Sequence, residues 1–538
     1  MPKLQTNGAK QKRTTYMILL LWAAVCFALL VVDWCCWAPN RLDADMASEQ
    51  LLANLLAQEG SVMSTNWYYS TELRVLNTQL VMAPLFRLFT SWHTVRVVGS
   101  VVLILLYLAA WFWFGRSAKL KYSGLLGAGL LVLPYGALYR QYVLEGLYYI
   151  PHIAISFVVL GCAVRILRGG RRLAPAAGMV LFSFAAALGG PRQLFILNIP
   201  LTVAAALLCW LDAPPADTLR QKLANAWRTP GGALLVPTLA ADAAALAGYL
   251  VNAKVLAEKY HFQDQGYVAF TGLNLDRLQW FVNALLASFG WQEGKVFSLA
   301  ALFNLAAAAL ILFCFVFSVR LVRGKARYPL GHRLVGAFFL AGAVCFALLY
   351  GLTNSGHSDR YLLPLAILFV PLLEIMLADC TPLHRPDARG LTALLAAILL
   401  LRAGTDYRAA AVATNPNQGA AQFLVQNGYR DGYASFWDGN VMTELTDGTL
   451  NVWTLTPNSV PELRPWLQVT SHLQTPPQGK IFFVISKWEA YGERQPTTQA
   501  LADAMPEDAL IYEDKTVKIY GFASDEAMRQ ACGFAAFP

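Results

Sequence analysis

The chain has 538 residues, of which 57% are hydrophobic and only 14% are charged. Soluble globular domains carry about 25% charged residues, so this composition excludes an ordinary soluble enzyme as well as disordered and collagen-like chains. The net charge of +9 is unevenly distributed, because the segment from Asp406 onward holds nine basic and fifteen acidic residues. The basic excess therefore lies in the apolar part, where cytoplasmic loops collect Lys and Arg, and it does not indicate nucleic acid binding.

The apolar residues gather in runs that are long enough to cross ~30 Å of hydrocarbon as a helix. These runs lie at 14–32, 97–115, 122–139, 146–164, 173–191, 193–211, 231–253, 296–319, 334–356 and 361–378. An eleventh, shorter run lies at 390–401, where Arg389 and Arg402 would have to extend to opposite interfaces. The pattern predicts a polytopic α-helical membrane protein with about eleven transmembrane helices.

The distribution of basic residues predicts the orientation of these helices. Lys10, Lys12 and Arg13 precede the first run, which places the amino terminus in the cytoplasm. Alternation then puts the loops at 116–121, 165–172, 220–228 and 320–333 inside, and all four are basic. The sequence contains no Asn-x-Ser/Thr sequon, which favours a bacterial source and therefore a bacterial cytoplasmic membrane.

Two domains are expected. Residues 1–405 form a transmembrane domain with long outside loops at about 33–94 and 254–295, and residues 406–538 form a small extracytoplasmic α/β domain. In the latter, the pattern predicts a helix over Gln418–Gln426 that ends at Asn427-Gly428, and strands over Leu450–Leu455 and Ile481–Ser486.

The first outside loop carries three acidic residues in a short stretch, Asp43, Asp45 and Glu49. The stretch opens an amphipathic helix, Met46–Gln58, on which Asp45 and Glu49 share a face. A carboxylate at a membrane surface can deprotonate an acceptor hydroxyl. The alternative is structural, with Asp45 as the helix N-cap and Glu49 as a first-turn acid.

Aromatic residues follow this helix at Trp67, Tyr68 and Tyr69. They could stack on a sugar, or they could anchor an interfacial helix in the aromatic belt. In the second long loop, the apolar stretch Leu278–Phe289 is either an interfacial helix that contacts a lipid substrate or a surface connector.

Three short outside loops carry arginine, which binds phosphate through two parallel hydrogen bonds. They hold Arg140 with Glu145, then Arg192, then Arg360 with His357. Each arginine alone could instead be an anchor at the water–lipid boundary. Within the apolar runs, Asp242 needs an interior partner or a proton, and Gly124, Gly127 and Gly129 indicate close helix packing.

This layout resembles the GT-C membrane glycosyltransferases, the superfamily of the protein O-mannosyltransferases and the lipid A aminoarabinose transferases. The resemblance rests on Asp43 and Asp45 after the first helix, a long loop between helices seven and eight, and Arg360-Tyr361 at an outer helix end. It implies that a sugar is transferred from a polyprenyl-phosphate donor to an extracytoplasmic acceptor, which would be a cell-envelope glycan, a lipid or a protein, with inversion at the sugar. The chain has Asp-Ala-Asp where the family has Asp-Glu, so the identity of the base stays open.

The resemblance also assigns roles to residues of this chain. Asp45 is the first choice for the general base, followed by Asp43 and Glu49, and the donor phosphate ligands are Arg360, then Arg192 and Arg140. Substrate-binding candidates are Trp67, Tyr68, Tyr69, Glu145 and His357.

No cofactor and no metal are expected for a monophosphate donor, although oligosaccharyl relatives use a divalent metal and leave that point open. Two other functions share some of these features. A polysaccharide polymerase or ligase would also use lipid-linked glycans, and a transporter or flippase for such glycans would show mid-membrane charge pairs and inverted repeats.

Overall fold

The computed structural model describes residues 2–71, 73–169, 172–263, 268–294, 296–355, 358–379, 385–456, 462–491 and 496–533. The chain forms two compact units. The helical unit comprises Met1–Val32, Val102–Ala253 and Gly266–Tyr407, and the mixed unit comprises Asp33–Val101, Lys254–Gln265 and Arg408–Pro538. The sequence-based boundary at residue 405 stays a prediction.

The protein is a multi-pass helical membrane protein. Within the described ranges, nine helices are long and apolar enough to cross a membrane. The helices up to residue 379 are α1 (Pro2–Cys36), α2 (Ala44–Glu59), α3 (Gln79–Leu85), α4 (Trp92–Ala118), α5 (Leu125–Leu131), α6 (Ala137–Tyr139), α7 (Ile150–Leu167), α8 (Leu173–Ala187), α9 (Ile199–Asp212), α10 (Leu219–Trp227), α11 (Pro230–Val251), α12 (Ala257–Lys259), α13 (Leu275–Ser288), α14 (Leu299–Arg323), α15 (Leu330–Leu352), α16 (Leu363–Ala366) and α17 (Phe369–Asp379). The nine candidate spans include α1, α4, α7, α14 and α15.

Three of the predicted membrane helices differ from their expected form. The run at 122–139 is not one helix, because α5 ends at Leu131 and the chain turns through Pro134 and Gly136 before α6. The run at 173–191 is the 15-residue helix α8. The short run at 390–401 lies inside a 28-residue helix, α18 (Arg385–Val412).

Close packing accounts for three glycines of the helical unit, Gly124, Gly127 and Gly129. A Cβ atom added at Gly127 or Gly129 would collide with Trp111 or Trp22, respectively. Gly124 lies against Trp111 and has φ +78°, a left-handed conformation that favours glycine. The structure therefore confirms the packing interpretation of these three residues.

The carboxy-terminal region is a mixed α/β fold. Its helices are α19 (Gln418–Gln426), α20 (Phe436–Leu445), α21 (Lys487–Tyr491), α22 (Pro496–Ala504) and α23 (Asp525–Cys532). The strands of the chain are β1 (Trp67–Tyr68), β2 (Asp431–Ser435), β3 (Asn451–Leu455), β4 (Gln468–Val469), β5 (Ile481–Ser486), β6 (Leu510–Glu513) and β7 (Val517–Phe522). The helix predicted at 418–426 and the strand predicted at 481–486 are confirmed with the same bounds.

Five of the strands form one sheet in the order β3-β2-β5-β7-β6. The β2–β3 and β2–β5 pairs are parallel, and the β5–β7 and β6–β7 pairs are antiparallel. Neighbouring residues of β5 point to opposite faces, so Phe483 and Phe482 belong to two separate apolar clusters. Because both faces of β5 are buried, its sequence is an uninterrupted apolar run up to Ser486. The two-stranded β1–β4 ladder joins the first loop to the carboxy-terminal region within the mixed unit.

Candidate functional site

In the helical unit, the loops that carry the predicted phosphate ligands are next to irregular helical turns. Arg140 opens a π-helical turn, Arg140–Glu145, and Arg192 lies two residues before another, Leu194–Asn198. Arg360 lies in a 3-10 turn, Asp359–Leu362. Single π-helical turns inside helical proteins are frequent at functional sites, because the wider turn redirects side chains.

Arg192 lies between two tyrosine rings. Its guanidinium is 5.4 Å from the ring centroid of Tyr149 and 4.9 Å from that of Tyr361. Its Nη1 also donates a hydrogen bond of 3.1 Å to the Tyr149 hydroxyl. Next to it in sequence, Oε1 of the buried Gln193 accepts a 3.0 Å hydrogen bond from His152 Nδ1, which holds this loop against α7.

Arg360 lies over the ring of Tyr142, with 5.0 Å between the guanidinium and the centroid. The rings of Tyr142 and Tyr149 are themselves 6.2 Å apart and nearly perpendicular. Arg192 and Arg360 therefore contact adjacent rings of one cluster, although they are 168 positions apart in the sequence. We call Tyr142, Tyr149, Tyr361, Arg192 and Arg360 the arginine–tyrosine cluster. Tyr142 and Tyr149 were not predicted from the sequence, in which the high density of tyrosines between 135 and 149 is their only signal.

Arg140 has a different environment. Its guanidinium lies 3.5 Å from a Glu145 carboxylate oxygen and 3.4 Å from an Asp406 oxygen. Glu145 is 4% exposed, so its carboxylate is held in this ion pair within the protein. Two acidic partners balance the charge of Arg140, which weakens it as an anion ligand.

In the mixed unit, the three acids of the first loop surround the start of α2 and each has a distinct environment. Asp43 is the N-cap, since its Oδ1 accepts a 2.8 Å hydrogen bond from the backbone N–H of Met46. The alternative in which Asp45 caps the helix is therefore wrong, because α2 begins two residues before the predicted Met46. Asp45 lies in the first turn, where the helix dipole stabilises a negative charge.

Glu49 is bound to the chain that follows α2. One of its carboxylate oxygens accepts hydrogen bonds from Asn77 Nδ2 at 2.8 Å and Thr78 Oγ1 at 2.6 Å. Arg74 lies 4.0 Å from the other oxygen. These contacts hold the segment 74–78 against α2.

Arg464, which sequence analysis did not single out, is an electrostatic partner of Asp45. Burial lowers the pKa of Arg464, and the negative charge of Asp45 opposes that lowering. The Arg464 guanidinium also lies 4.9 Å from the ring centroid of Phe436. No sequence spacing relates residues 45 and 464, so only the fold could reveal this pair.

The aromatic residues of the first loop are in three different environments. Trp67 is fully buried and lines a cleft of the mixed unit. Tyr68 stacks on His261 with 6.0 Å between the ring centroids. Tyr69 is buried, its hydroxyl accepts a 3.0 Å hydrogen bond from the Ser64 N–H, and burial raises the pKa of this hydroxyl. Sequence alone could not distinguish these environments, because all three residues are adjacent.

Three other expectations from the sequence concern the substrate-binding candidate His357, the partner of Asp242 and a metal site. His357 lies outside the described residues. Asp242, in the helical unit, accepts a 2.7 Å hydrogen bond from Thr202 Oγ1, a partner that the sequence could not identify. Within the part of the chain that the structure describes, no group of three His, Cys, Asp or Glu residues is arranged to hold a metal ion. The expected absence of a metal stays a prediction.

The fold of this chain resembles two solved structures of one protein. It is similar to the crystal structure of ArnT from Cupriavidus metallidurans in the apo state, with a TM-score of 0.53, 13% sequence identity, and coverage of 95% of this chain and 98% of that chain. It is also similar to the same protein bound to undecaprenyl phosphate, with a TM-score of 0.51, 13% identity, and coverage of 93% and 97%.

A lower similarity is found to the oligosaccharyltransferase of Archaeoglobus fulgidus in complex with zinc and sulfate, with a TM-score of 0.44, 12% identity, and coverage of 89% of this chain and 70% of that chain. No family model matches the sequence. No curated protein sequence matches it either.

Proposed function

We propose that the protein is a membrane glycosyltransferase that moves a sugar from a polyprenyl-phosphate donor to an extracytoplasmic acceptor. The observation that carries the proposal is the fold similarity to ArnT over nearly the full length of both chains, since one of the ArnT structures is bound to undecaprenyl phosphate. The acceptor would be a cell-envelope glycan, a lipid or a protein. Direct displacement at the anomeric carbon would invert its configuration.

In this proposal the arginine–tyrosine cluster of the helical unit holds the donor phosphate. Arg360 and Arg192 would bind the phosphate oxygens and stabilise the charge that develops as the lipid phosphate departs. The contacts of both guanidinium groups with tyrosine rings support this role, because the rings position the two side chains in one cluster. Arg140 would contribute less, since Glu145 and Asp406 already balance its charge.

The general base would be Asp45. Asp43 is engaged in capping α2, and Glu49 accepts two short hydrogen bonds that hold it against Asn77 and Thr78. Asp45 lies in the first turn of α2 and is an electrostatic partner of Arg464, which would hold the carboxylate in place while it accepts a proton. Transfer of the acceptor proton to Asp45 would accompany attack of the acceptor oxygen on the sugar.

The proposal includes the orientation derived from the basic loops. The amino terminus would lie in the cytoplasm and the carboxy-terminal region outside, in the cytoplasmic membrane of a bacterium. Eleven crossings require the nine long helices, the shorter helix α8 and the broken segment that contains α5. The basic residues that follow α4, α7 and α14 support this orientation.

Binding of undecaprenyl phosphate tests the phosphate site without knowledge of the acceptor. We expect Arg360→Ala and Arg192→Ala each to weaken binding to the purified full-length protein roughly 10- to 100-fold, because each removes a charge-assisted hydrogen bond. Arg327→Ala is the matched control, since Arg327 also lies on a tyrosine ring, 5.2 Å from the centroid of Tyr328, but at the other end of α15. Equal binding by all three variants would contradict the proposed site.

The role of the base is tested in cells. A strain that lacks the gene is complemented with the wild type, Asp45→Asn or Glu49→Gln, and its envelope glycans are compared by mass spectrometry. We expect Asp45→Asn to lose the sugar modification while it still binds undecaprenyl phosphate, and Glu49→Gln to retain more of the modification than Asp45→Asn. Full complementation by Asp45→Asn would exclude it as the base.

A further inference from the structure

The carboxyl ends of two neighbouring parallel strands of the mixed unit, β2 and β5, meet at one edge of the sheet. The helix that follows β2, α20, packs on one face of the sheet, where its Met442 belongs to the same apolar cluster as Phe482. The helices that follow β5 lead to the other face, where Ala502 of α22 belongs to the cluster of Phe483. The chain therefore leaves β2 toward β3 on one side and leaves β5 toward β6 on the other. In open α/β sheets, ligands bind at such a switch point, outside the carboxyl ends of the strands.

The same four-residue pattern follows both strands. It reads serine, any residue, tryptophan and an acid, and its two copies are 435–438 and 486–489. In each copy the acid is buried, with Asp438 9% and Glu489 3% exposed. The tryptophans are not covered, since Trp437 is 51% and Trp488 is 70% exposed. Two large exposed rings at equivalent positions of adjacent strands indicate a binding surface.

The Ser435 side chain joins the two copies of the pattern. Its hydroxyl donates a 3.0 Å hydrogen bond to Asp438 Oδ2, and the carboxyl group of Glu489 interacts with the same side chain. Neighbouring strands lie ~4.8 Å apart, so the two tryptophans leave the sheet from adjacent positions. The buried acids therefore stabilise the two turns that carry the exposed rings.

A small pocket lies at the same edge of the sheet. It has a volume of about 30 Å³, and its lining includes the hydroxyl groups of Ser435, Thr456, Ser486 and Thr498. Thr456 and Ser486 are half-buried. The Thr456 hydroxyl donates to the Glu462 carbonyl at 3.1 Å, and its oxygen can still accept a hydrogen bond. Because one water needs ~10–15 Å³, the pocket can receive a hydroxyl group of a ligand but not a whole sugar ring.

We propose that this edge of the sheet binds a carbohydrate on the exposed rings of Trp437 and Trp488. The apolar C–H face of a sugar packs against an indole ring, while the sugar hydroxyls stay in water or reach the hydroxyl groups of the pocket. The proposal does not rest on sugar transfer, because neither tryptophan belongs to the proposed base or to the arginine–tyrosine cluster.

A membrane surface is the other occupant that exposed tryptophans can have. Both rings are followed directly by an acid, and the segment from Asp406 onward holds nine basic and fifteen acidic residues. An anionic lipid surface attracts basic segments and repels acidic ones. The charge of this region therefore favours a carbohydrate over the membrane.

Calorimetry on the purified full-length protein tests carbohydrate binding. The probes are linear tetrasaccharides of glucose, galactose, mannose and N-acetylglucosamine, each at millimolar concentration. We expect at least one of them to bind. Trp437→Ala and Trp488→Ala should each weaken that binding about 3- to 10-fold, because each removes one stacking surface. The double variant Trp437→Ala/Trp488→Ala should bind at least about tenfold more weakly than the wild type.

Two further variants control for loss of an exposed ring. Trp227→Ala is the matched control, because Trp227 is 52% exposed but lies on α10 of the helical unit. We expect it to bind the tetrasaccharide as the wild type does. Trp488→Phe keeps an aromatic ring and should lose less affinity than Trp488→Ala. Normal binding of undecaprenyl phosphate by the double alanine variant would show that it is folded and that this site is separate from the proposed donor site.

Fluorescence in lipid nanodiscs distinguishes a carbohydrate from a membrane surface. Lipids with brominated acyl chains quench tryptophans that enter the bilayer, and the two rings contribute the difference between the wild type and Trp437→Phe/Trp488→Phe. We expect brominated lipid to leave this difference unchanged, and quenching of it would overturn the proposal. Failure of all four tetrasaccharides to bind the wild type, unchanged affinity in the folded double alanine variant, or equal weakening by Trp227→Ala would also overturn it.

Discussion

A buried ion pair in the mixed unit gives the sharpest prediction about stability. Arg96 Nε and Nη2 donate to the two carboxylate oxygens of Glu444, each at 2.6 Å, and Nη2 also donates to the Met46 carbonyl at 2.9 Å. Arg96 is 8% exposed and Glu444 is 7% exposed. Removal of one partner from a buried pair leaves a charge without compensation and costs ~3–5 kcal/mol. We therefore expect Arg96→Ala to lose about that much free energy of unfolding.

Thermal unfolding in detergent, followed by intrinsic tryptophan fluorescence, measures this loss. For a domain of about 200 residues, 1 kcal/mol corresponds to a shift of ~2–4 °C, so the expected decrease in melting temperature is about 6–20 °C. Glu513→Gln is the control, because it changes an ion pair that is partly open to solvent, Lys487–Glu513, and it should leave the melting temperature unchanged.

The pH dependence separates this cause from simple loss of packing. Burial raises the pKa of Glu444, and Arg96 opposes that rise. Without Arg96 the pKa of Glu444 in the folded state rises further. A carboxyl group whose pKa is raised by folding leaves stability intact below its pKa in the unfolded state, and this stability is lost as the pH rises through its pKa in the folded state. The deficit of Arg96→Ala should therefore be smallest near pH 4–5 and largest above neutral pH. An equal loss of stability in Arg96→Ala near pH 4–5 and above neutral pH would refute the reasoning. So would a double variant Arg96→Met/Glu444→Leu that is no more stable than Arg96→Ala.

Two further predictions concern local structure. Asp43→Ala removes the N-cap bond to Met46 and should cost about 1 kcal/mol, whereas Asp43→Asn should restore most of it; a fluorescence melt that shows no difference between the two would contradict the capping role. Gly129→Ala should destabilise the helical unit by ~1–3 kcal/mol because its Cβ would collide with Trp22, whereas Gly390→Ala, which meets nothing within 4 Å, should be neutral in the same melt.

Periodic and compositional signals determined which elements could be predicted. Long apolar runs located most of the membrane helices, and Asn427-Gly428 marked the end of α19, where Gly428 has φ +74°. The run at 122–139 was predicted as one helix because its residues are mostly apolar, but Pro134 and Gly136 interrupt the helix. The apolar run at 390–401 predicted a shorter helix than α18, because Arg402 interrupts the apolar pattern. In the fold Arg402 is buried and donates a hydrogen bond to the Gly290 carbonyl.

The candidate site was less predictable, because its contacts join distant parts of the chain. Arginines at outer helix ends could be proposed from charge and topology, but nothing near Arg192 or Arg360 in the sequence indicates that they share a cluster with Tyr142 and Tyr149. The π-helical turns that accompany these arginines have no composition of their own, since they follow from packing and not from local propensity.

The three acids of the first loop illustrate how structure narrows a choice that sequence leaves open. From the sequence all three acids are candidates for the base, with Asp45 as the N-cap and Glu49 as a first-turn acid in the structural alternative. The cap bond to Met46 and the hydrogen bonds of Glu49 to Asn77 and Thr78 give two of the acids a structural function. We therefore expect substitutions of Asp43 and Glu49 to lower the free energy of unfolding, and Asp45→Asn to lower sugar transfer most.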